Sequence, residues 1–428
     1  MRELKIVIGG AGKVGSYLAK WLSPFHNVIV IDKIPSKLEK LVENLDLMTI
    51  CGDLRQKKSY FPVDRNIDFF IAVTENDEIN ILTPTIVSQW IGVKEWLIRV
   101  SNPVYTSLKT LKKKKREVLL FPLLETVKRL KRMLYTPKAL YRLELDSYGD
   151  MVVGVMVHSP KFSSIEGIEE EGVIVIGRRT GNRFEWFPSG YLQNGETLYL
   201  LGNGETLHSL LPQLDRTITA KGGVLILGAT PVGLELAKWL VATKHRVYII
   251  EKELKRAEIA SEIVGERGVV LHGTIEEQEM LYSEGLGGIE IAITTLPEDE
   301  LNIISALTLR RNGIKRIITT INNISLFPII EQFRIGVSPG MKVVTFQQIL
   351  EEINSRYLVY ERFFLPTEGV IYIKDNLAVH RIEPPNEGYL IIKRRNRFFK
   401  VIKRVELTRE DRLIYFSQKG NRQWIENL

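Results

Sequence analysis

Cysteine is nearly missing from this chain: Cys51 is the single one in 428 residues. No internal disulfide can form, which fits a reducing compartment or indifference to redox state. Long apolar runs are missing as well. No stretch approaches the roughly 18–20 consecutive apolar residues that a spanning helix needs, so a membrane-spanning subunit is not expected. Met1-Arg2-Glu3-Leu4 leads straight into a strand-like segment, and no signal peptide is expected there. Histidine is sparse, and His26, His158, His208, His245, His272 and His380 show no ligand spacing such as HxxxH, so no metal site is expected. Low-complexity segments are also lacking, because apolar and aromatic residues run along the whole length.

What is present is an ordinary globular composition, 44% hydrophobic and 26% charged. The length suggests two to four domains of roughly 100–200 residues each. The net charge of +8 admits an anionic partner: a nucleotide, a nucleic acid or an anionic membrane surface. The densest basic run is Lys112-Lys113-Lys114-Lys115-Arg116, followed by Lys128, Arg129, Lys131 and Arg132. It reads as a solvated loop and helix face. No zinc-finger, helix-turn-helix or ribonucleoprotein aromatic pattern accompanies it, so nucleic acid is not expected as a partner.

The chain repeats itself. Leu18-Ala19-Lys20-Trp21-Leu22 recurs unchanged at Leu236-Ala237-Lys238-Trp239-Leu240, an offset of 218. Asp32 then corresponds to Glu251, Gly52 to Gly273, Glu78 to Glu300 and Asn80 to Asn302. The offset drifts by four residues, so a whole unit is duplicated in tandem with small loop insertions. The first ~110 residues of each half alternate short apolar strands with amphipathic helices, the βαβ pattern of a doubly wound parallel sheet. The next ~90 residues read as a small α+β module, with strands near 140–145, 172–177 and 197–201 and again near 370–373, 389–393 and 412–416. Four domains are expected, over residues 1–118, 135–215, 220–340 and 345–428. The link between the halves lies near 214–223, where Gly222-Gly223 breaks any helix.

Gly10-Ala11-Gly12-Lys13-Val14-Gly15 is a GxGxxG that follows a strand and opens a helix. In that context it reads as a pyrophosphate-binding turn: Gly10 for the turn, Gly12 for close approach of the ligand, Gly15 for helix–strand packing. The helix N-terminus adds free N–H groups, and Lys13 adds a formal charge. Asp32 ends the second strand, where a carboxylate accepts from both ribose hydroxyls and repels a 2′-phosphate. NAD(H), or an adenosine phosphate such as ATP or ADP, is therefore favoured over NADP. Asp53 suits either an adenine amino group or a helix cap. Val73 and Thr74 end the fourth strand, beside the nucleotide. Arg99 ends the fifth, where it can meet phosphates or pair at the surface.

Other nucleotide and enzyme patterns fail. A Walker loop would need Gly at Val7 and Ser or Thr at Val14. Tyr105 and Lys109 match YxxxK, but Gly92 stands where that pattern requires serine. There is no GxSxG elbow. No acid or base is placed beside a nicotinamide, so an enzyme is not expected. In the second copy, Gly228-Ala229-Thr230-Pro231-Val232-Gly233 puts threonine at the ligand-approach glycine, and Pro231 removes an N–H. Thr274 and Thr320 replace Asp53 and Arg99. One good site and one weak or empty site per chain are expected.

These residues resemble the TrkA family of potassium-transport regulators. The matching elements are Ile8–Gly15, Asp32, Gly52-Asp53 and the segment Ala72–Asn80, whose Thr-x-x-Asp-Glu-x-Asn returns as Leu296–Asn302 in altered form. Ser163–Ile168 followed by Val173–Arg179 resembles the start of a TrkA-C domain. The resemblance implies two Rossmann-like RCK (or KTN) domains of α/β class, each followed by a small α+β TrkA-C domain. It implies nucleotide contacts at Gly10, Ala11, Gly12, Lys13, Val14, Asp32, Val73, Thr74 and Arg99. It also implies a homotetrameric ring on the cytoplasmic face of the inner membrane, gating a separate potassium-translocating subunit of the TrkH or TrkG type. An NAD-dependent oxidoreductase and a nucleotide sensor unrelated to ion transport are the alternatives.

Overall fold

The computed structural model describes all residues except 1–2, 108–115, 137, 146–148, 216–222, 276–288, 290, 356–358, 365–368, 376–380, 396, 409 and 418–428. The Lys112–Lys115 run, Lys109 and most of the 214–223 link lie outside the described residues.

The first Rossmann-like segment contains β1 (Lys5–Gly9), α1 (Lys13–Leu22), β2 (Asn27–Asp32), α2 (Pro35–Val42), β3 (Met48–Cys51), β4 (Asn66–Ala72), α3 (Asp77–Val87), β5 (Gly92–Arg99) and β6 (Glu117–Leu120). Its strands are near-continuous apolar runs because helices cover both faces of a parallel sheet. Ile6, Val7 and Ile8 are all fully buried. The order β3-β2-β1-β4-β5-β6 is parallel throughout. The topological switch falls between β1 and β4, so a crevice opens at their carboxyl ends. Gly10 follows β1 there and Val73 follows β4.

The helix α4 (Pro122–Tyr135) comes next, then a small module of β7 (Ala139–Glu144), β8 (Asp150–Met156), α5 (Ile165–Glu169), β9 (Ile174–Thr180), β10 (Arg183–Trp186), β11 (Thr197–Asn203) and α6 (Gly204–Leu214). The second Rossmann-like segment follows: β12 (Val224–Leu227), α7 (Pro231–Ala242), β13 (Val247–Glu251), α8 (Leu254–Val264), β14 (Gly268–His272), β15 (Ile291–Thr294), α9 (Asp299–Arg311), β16 (Arg316–Ile321), α10 (Phe327–Gln332) and β17 (Gly336–Pro339). Last come α11 (Met341–Ser355) and the strands β18 (Val359–Phe364), β19 (Gly369–Lys374), β20 (Arg381–Ile382), β21 (Tyr389–Arg394), β22 (Arg397–Lys400), β23 (Val405–Glu406) and β24 (Arg412–Ser417).

The duplication read from the sequence is a duplication of topology. The second parallel sheet, β14-β13-β12-β15-β16-β17, repeats the first strand for strand. The antiparallel sheets β10-β9-β11-β8-β7 and β22-β21-β24-β19-β18 likewise correspond one to one.

Two compact units result, and they do not follow chain order. One comprises residues 1–125 with 341–356, the other 126–340 with 357–428. Within the first unit, α11 packs on α1, with Phe346 edge-on against Tyr17 at 4.7 Å and Trp21 at 6.0 Å. Within the second unit, α4 reaches α7 in the same way. Tyr135 meets Trp239 edge-on at 5.6 Å, and Lys131 lies 5.0 Å over the same ring. Trp21 and Trp239 are the repeated tryptophans, so each is the platform for a helix from elsewhere in the chain. Arg316 closes the end of α4 by donating to the carbonyls of Met133, Leu134 and Thr136, and burial pulls its pKa down to about 10.

Candidate functional site

The first cleft is built on the turn from β1 to α1. Gly10 has φ +113°, and a Cβ there would come within 3.1 Å of the Thr74 nitrogen. Gly15 presses on the turn itself, since its Cβ would sit 1.8 Å from the Gly10 carbonyl. Gly12 is different. Nothing lies within 4 Å of the Cβ it lacks. It stands at the N-cap of α1 with no side-chain cap. The helix N–H groups therefore keep their hydrogen-bonding capacity for something beyond the protein.

Asp32 closes the other side. Its Oδ2 accepts from Ala11 N at 2.7 Å and its Oδ1 from Ile34 N at 2.9 Å. These bonds fix the carboxylate at the mouth of the glycine turn. A pocket of about 370 Å³ opens here, lined by residues from the ends of β1, β2, β3 and β4. That is a usual size for a small-molecule site. Gly10, Gly12, Asp32, Asp53, Val73 and Thr74 line it. Ala11, Lys13, Val14 and Arg99 do not form its wall; Ala11 and Val14 are buried and Lys13 is exposed.

Asp53 is held by Arg55, whose Nε and Nη2 donate to its two oxygens at 3.0 and 2.7 Å and whose backbone N–H donates at 2.9 Å. The guanidinium holds the Asp53 carboxyl down at about 2. Arg99 donates from Nη1 to the Thr74 carbonyl at 3.2 Å. Burial lowers its pKa, against the pull of Asp77 and Glu75. Its buried Nε has no hydrogen-bond partner among the described residues.

The Thr-x-x-Asp-Glu-x-Asn segment has a clear mechanical role. Asn80, fully buried, accepts from Thr74 N at 3.0 Å and Thr74 Oγ1 at 2.7 Å, and donates to the carbonyls of Thr74 and Arg99 at 3.0 Å each. It staples the loops after β4 and β5 together. Asp77 accepts from Ser101 N and Asn102 N, and Glu78 from the Tyr105 hydroxyl at 2.5 Å. The actual cap of α3 is Asn76, which accepts from Ile79 N at 2.7 Å. The second repeat keeps part of this arrangement: Asn302 bonds Leu296 N and O, and Asp299 reaches the loop after β16 by accepting from Asn322 N and Asn323 N.

The second cleft keeps the glycines that serve the fold. Gly228 has φ +95°, and a Cβ on Gly233 would sit 2.1 Å from the Gly228 carbonyl. The position equivalent to Gly12 carries a side chain. Thr230 caps α7 with its own hydroxyl, accepting from Gly233 N at 3.3 Å and donating to the Thr295 carbonyl at 2.9 Å. Glu251 accepts from Ala229 N at 2.6 Å and Glu253 N at 2.9 Å, as Asp32 does in the first repeat, but it is only 4% exposed.

Residues not assigned to the site from the sequence also line the first pocket: Lys33, Ile34, Lys37, Leu54 and Arg55, together with Glu75, Asn76 and Ile79 of the Ala72–Asn80 segment. Their signal was position. All but Ile79, which lies in the first turn of α3, are within about five residues of a strand's carboxyl end, where an α/β sheet binds ligands.

Two duplicated doubly wound sheets, each with a glycine turn at its switch point, define a tandem Rossmann-type protein. The chain belongs to the TrkA-N domain family, which matches residues 6–117 and again 224–338. It is 27% identical over 362 residues to a Trk system potassium uptake protein TrkA homolog of Archaeoglobus fulgidus, covering 81% of this chain and 80% of that protein. It is also 27% identical over 373 residues to the Trk system potassium uptake protein TrkA of Halomonas elongata, covering 82% and 79%. Among solved structures it is similar to the GsuK RCK domain, at TM-score 0.60 and 17% identity over 99% of this chain and 94% of that one. The GsuK channel bound to NAD matches at TM-score 0.60 and 16% identity over 99% and 79%. A GsuK structure bound to ADP matches at TM-score 0.51 and 14% identity over 83% and 70%. The RCK-type α/β fold expected from the sequence is the fold observed. No helix among the described residues is long and apolar enough to cross a membrane.

Proposed function

We propose that this chain is the nucleotide-responsive regulatory subunit of a potassium-uptake system, with its sensing site in the first repeat. The carrying observation is the contrast between the two clefts. In the first, Gly12 leaves the α1 N-terminus open beside a poised Asp32; in the second, Thr230 supplies the cap itself. The relatives named for potassium uptake support the transport role.

The residues fit an adenine nucleotide, NAD(H) or ATP/ADP. Gly10 to Val14 offer the phosphate-binding turn, with Lys13 as an added positive charge. Asp32 offers acceptors to the ribose. Val73 and Thr74 flank the remainder, and Arg99, which is outside the pocket wall, supports the Thr74 loop by donating to its carbonyl. The pocket's acids are Asp32, tied to backbone N–H groups, Asp53, tied to Arg55, and Glu75. That set suits a ligand held as a switch rather than a reactant.

Each nucleotide shifts the assembly by its differential affinity for two states. The partner in this reading is a separate potassium-translocating membrane subunit of the TrkH or TrkG type. The regulator is a homotetrameric ring held peripherally at the cytoplasmic face. Titration calorimetry with NAD⁺, NADH, ATP and ADP tests the site. Binding at one site per chain, lost in Asp32→Ala, is expected. Potassium flux through the reconstituted partner tests the role. Flux indifferent to every nucleotide that binds would overturn the regulatory reading.

A further inference from the structure

The duplication supplies an internal comparison at the hairpin edge of each antiparallel sheet. In the first small module, β9 and β10 form that hairpin, with Thr180 opposite Arg183 and Arg178 opposite Glu185. In the second, β21 and β22 take the same places in the sheet, with Arg394 opposite Arg397 and Ile392 opposite Phe399. The loops align as Gly181-Asn182 and Arg395-Asn396. The first hairpin is closed by glycine and an ion pair. Gly181 takes a left-handed φ of +58°, and Arg178 reaches Glu185 at 2.6 Å across the strands. The second hairpin keeps the backbone and changes the chemistry. Arg395 holds φ +57°, at a position that hairpin loops give to glycine or asparagine. Phe399 stands where the first copy has Glu185.

Between Lys393 and Arg404, seven of twelve residues are lysine or arginine and none is acidic. Three of the seven are tied down inside the second unit. Lys393 pairs with the buried Asp150, Arg394 with both oxygens of the buried Asp411 at 2.8 Å each, and Lys400 with Glu169 at 2.7 Å. The other four are not. Arg395 lies 3.9 Å from Glu410 and Arg404 lies 3.7 Å from Glu383, with all four side chains well exposed, and such pairs hold little. Arg397 and Lys403 have no ion pair among the described residues. Arg397 also stands directly across from Arg394, where a like charge costs stability.

Apolar side chains stand among these free cations. Phe399 shares a strand face with Arg397, since residues two apart point the same way, and is 47% exposed. Ile402, just past β22, is 81% exposed. Cations alone would be the charges that keep a sheet edge from pairing. An exposed phenylalanine and isoleucine on the same edge work against that protection. Together the two kinds of side chain match a surface that is anionic at its face and apolar beneath. We propose that the β21–β22 hairpin and the segment that follows it to Arg404 dock on a bilayer carrying anionic lipid headgroups. Phe399 and Ile402 enter the headgroup boundary, and Arg395, Arg397, Lys403 and Arg404 meet the phosphates. A purely acidic protein segment would match the cations and leave Ile402 in water. The nucleotide site is independent of this surface.

The test is co-sedimentation of the full chain with vesicles of phosphatidylcholine alone and of phosphatidylcholine with phosphatidylserine. Binding to the anionic vesicles only, weakened by added salt, is expected. Each cation near such a surface is worth about fivefold in partitioning, so Arg395→Gly with Arg397→Gln should weaken binding about 25-fold. Arg395→Gly copies the first module and suits the φ of the loop. Ile402→Ser changes an exposed side chain and should weaken binding about tenfold. Thermal melts of each variant separate folding from binding. No binding to anionic vesicles, or binding untouched by the hairpin variants, overturns the proposal. An equal loss in Lys112→Gln with Lys113→Gln would reduce the effect to net charge and overturn it as well. Retention on polyglutamate without vesicle binding would give the surface to an acidic protein in place of lipid.

Discussion

The ring of Phe346 meets the ring of Tyr17 edge-on at 4.7 Å, across 329 positions of sequence. Tyr17 lies on the helix whose N-terminus faces the candidate phosphate position, and Phe346 lies on the helix that follows the second Rossmann-like segment. Phe346 is 2% exposed. Phe346→Ala is therefore expected to cost about 3–5 kcal/mol in the first unit. Urea unfolding followed by tryptophan fluorescence and circular dichroism measures it. A loss under about 1 kcal/mol would show that α11 does not hold α1.

Gly12 and Gly15 should separate binding from folding. Gly12→Ala meets no protein atom within 4 Å, whereas Gly15→Ala drives a Cβ into the Gly10 carbonyl. Gly12→Ala is expected to melt like wild type and lose nucleotide affinity at least tenfold, about 1.4 kcal/mol. Gly15→Ala is expected to lose at least about 1–3 kcal/mol of stability through overpacking. Differential scanning calorimetry beside titration calorimetry distinguishes them. Equal nucleotide affinity in Gly12→Ala would remove the turn from the binding site.

Asp32 and Glu251 occupy equivalent positions and should give opposite results. Asp32→Asn should abolish binding with little change in stability. Glu251 is buried and holds two backbone N–H groups. Glu251→Gln puts an amide donor among them and should cost about 1–3 kcal/mol, with binding stoichiometry unchanged at one per chain. A drop from two sites to one in Glu251→Gln would mean the second cleft binds after all.

A buried carboxylate makes part of the second unit pH-sensitive. Glu331 is 1% exposed, pairs with Arg179 at 2.7 Å and takes the Tyr199 hydroxyl. Burial raises its pKa above 4.5, with Arg179 opposing. A carboxyl raised in the fold contributes most at low pH, and that contribution fades as pH rises from about 4.5 upward. Arg179→Met removes the opposing cation. It should cost about 3–5 kcal/mol at neutral pH and distinctly less at pH 5, where Glu331 can take a proton. Urea titrations at the two pH values decide it; a pH-independent loss would mean Glu331 stays neutral throughout.

Part of the first pocket's wall was legible in the sequence. Gly10, Asp32 and Thr74 were legible because each sits at the carboxyl end of an apolar strand, at a spacing set by the βαβ unit itself. The divergence of the second glycine turn was legible because Thr230 and Pro231 break a pattern whose copy stood 218 residues earlier. Ile34 and Arg55 were not legible. An exposed isoleucine and an arginine near an aspartate carry no pattern until the pocket wall brings them together. Asn80 was legible only as part of a repeated segment, and only the structure shows that its side chain ties two loops.

Fold class, duplication and the open first turn were thus determined by the sequence alone, because hydrophobic periodicity and glycine sterics act within a few residues of each other. The division of the chain into compact units was decided only in three dimensions. Helix α11 joins the first unit because Phe346 finds Tyr17 and Trp21 there, and α4 joins the second because Tyr135 finds Trp239. An amphipathic helix announces that it has an apolar face; only packing complementarity, which depends on residues hundreds of positions away, chooses the surface that covers it.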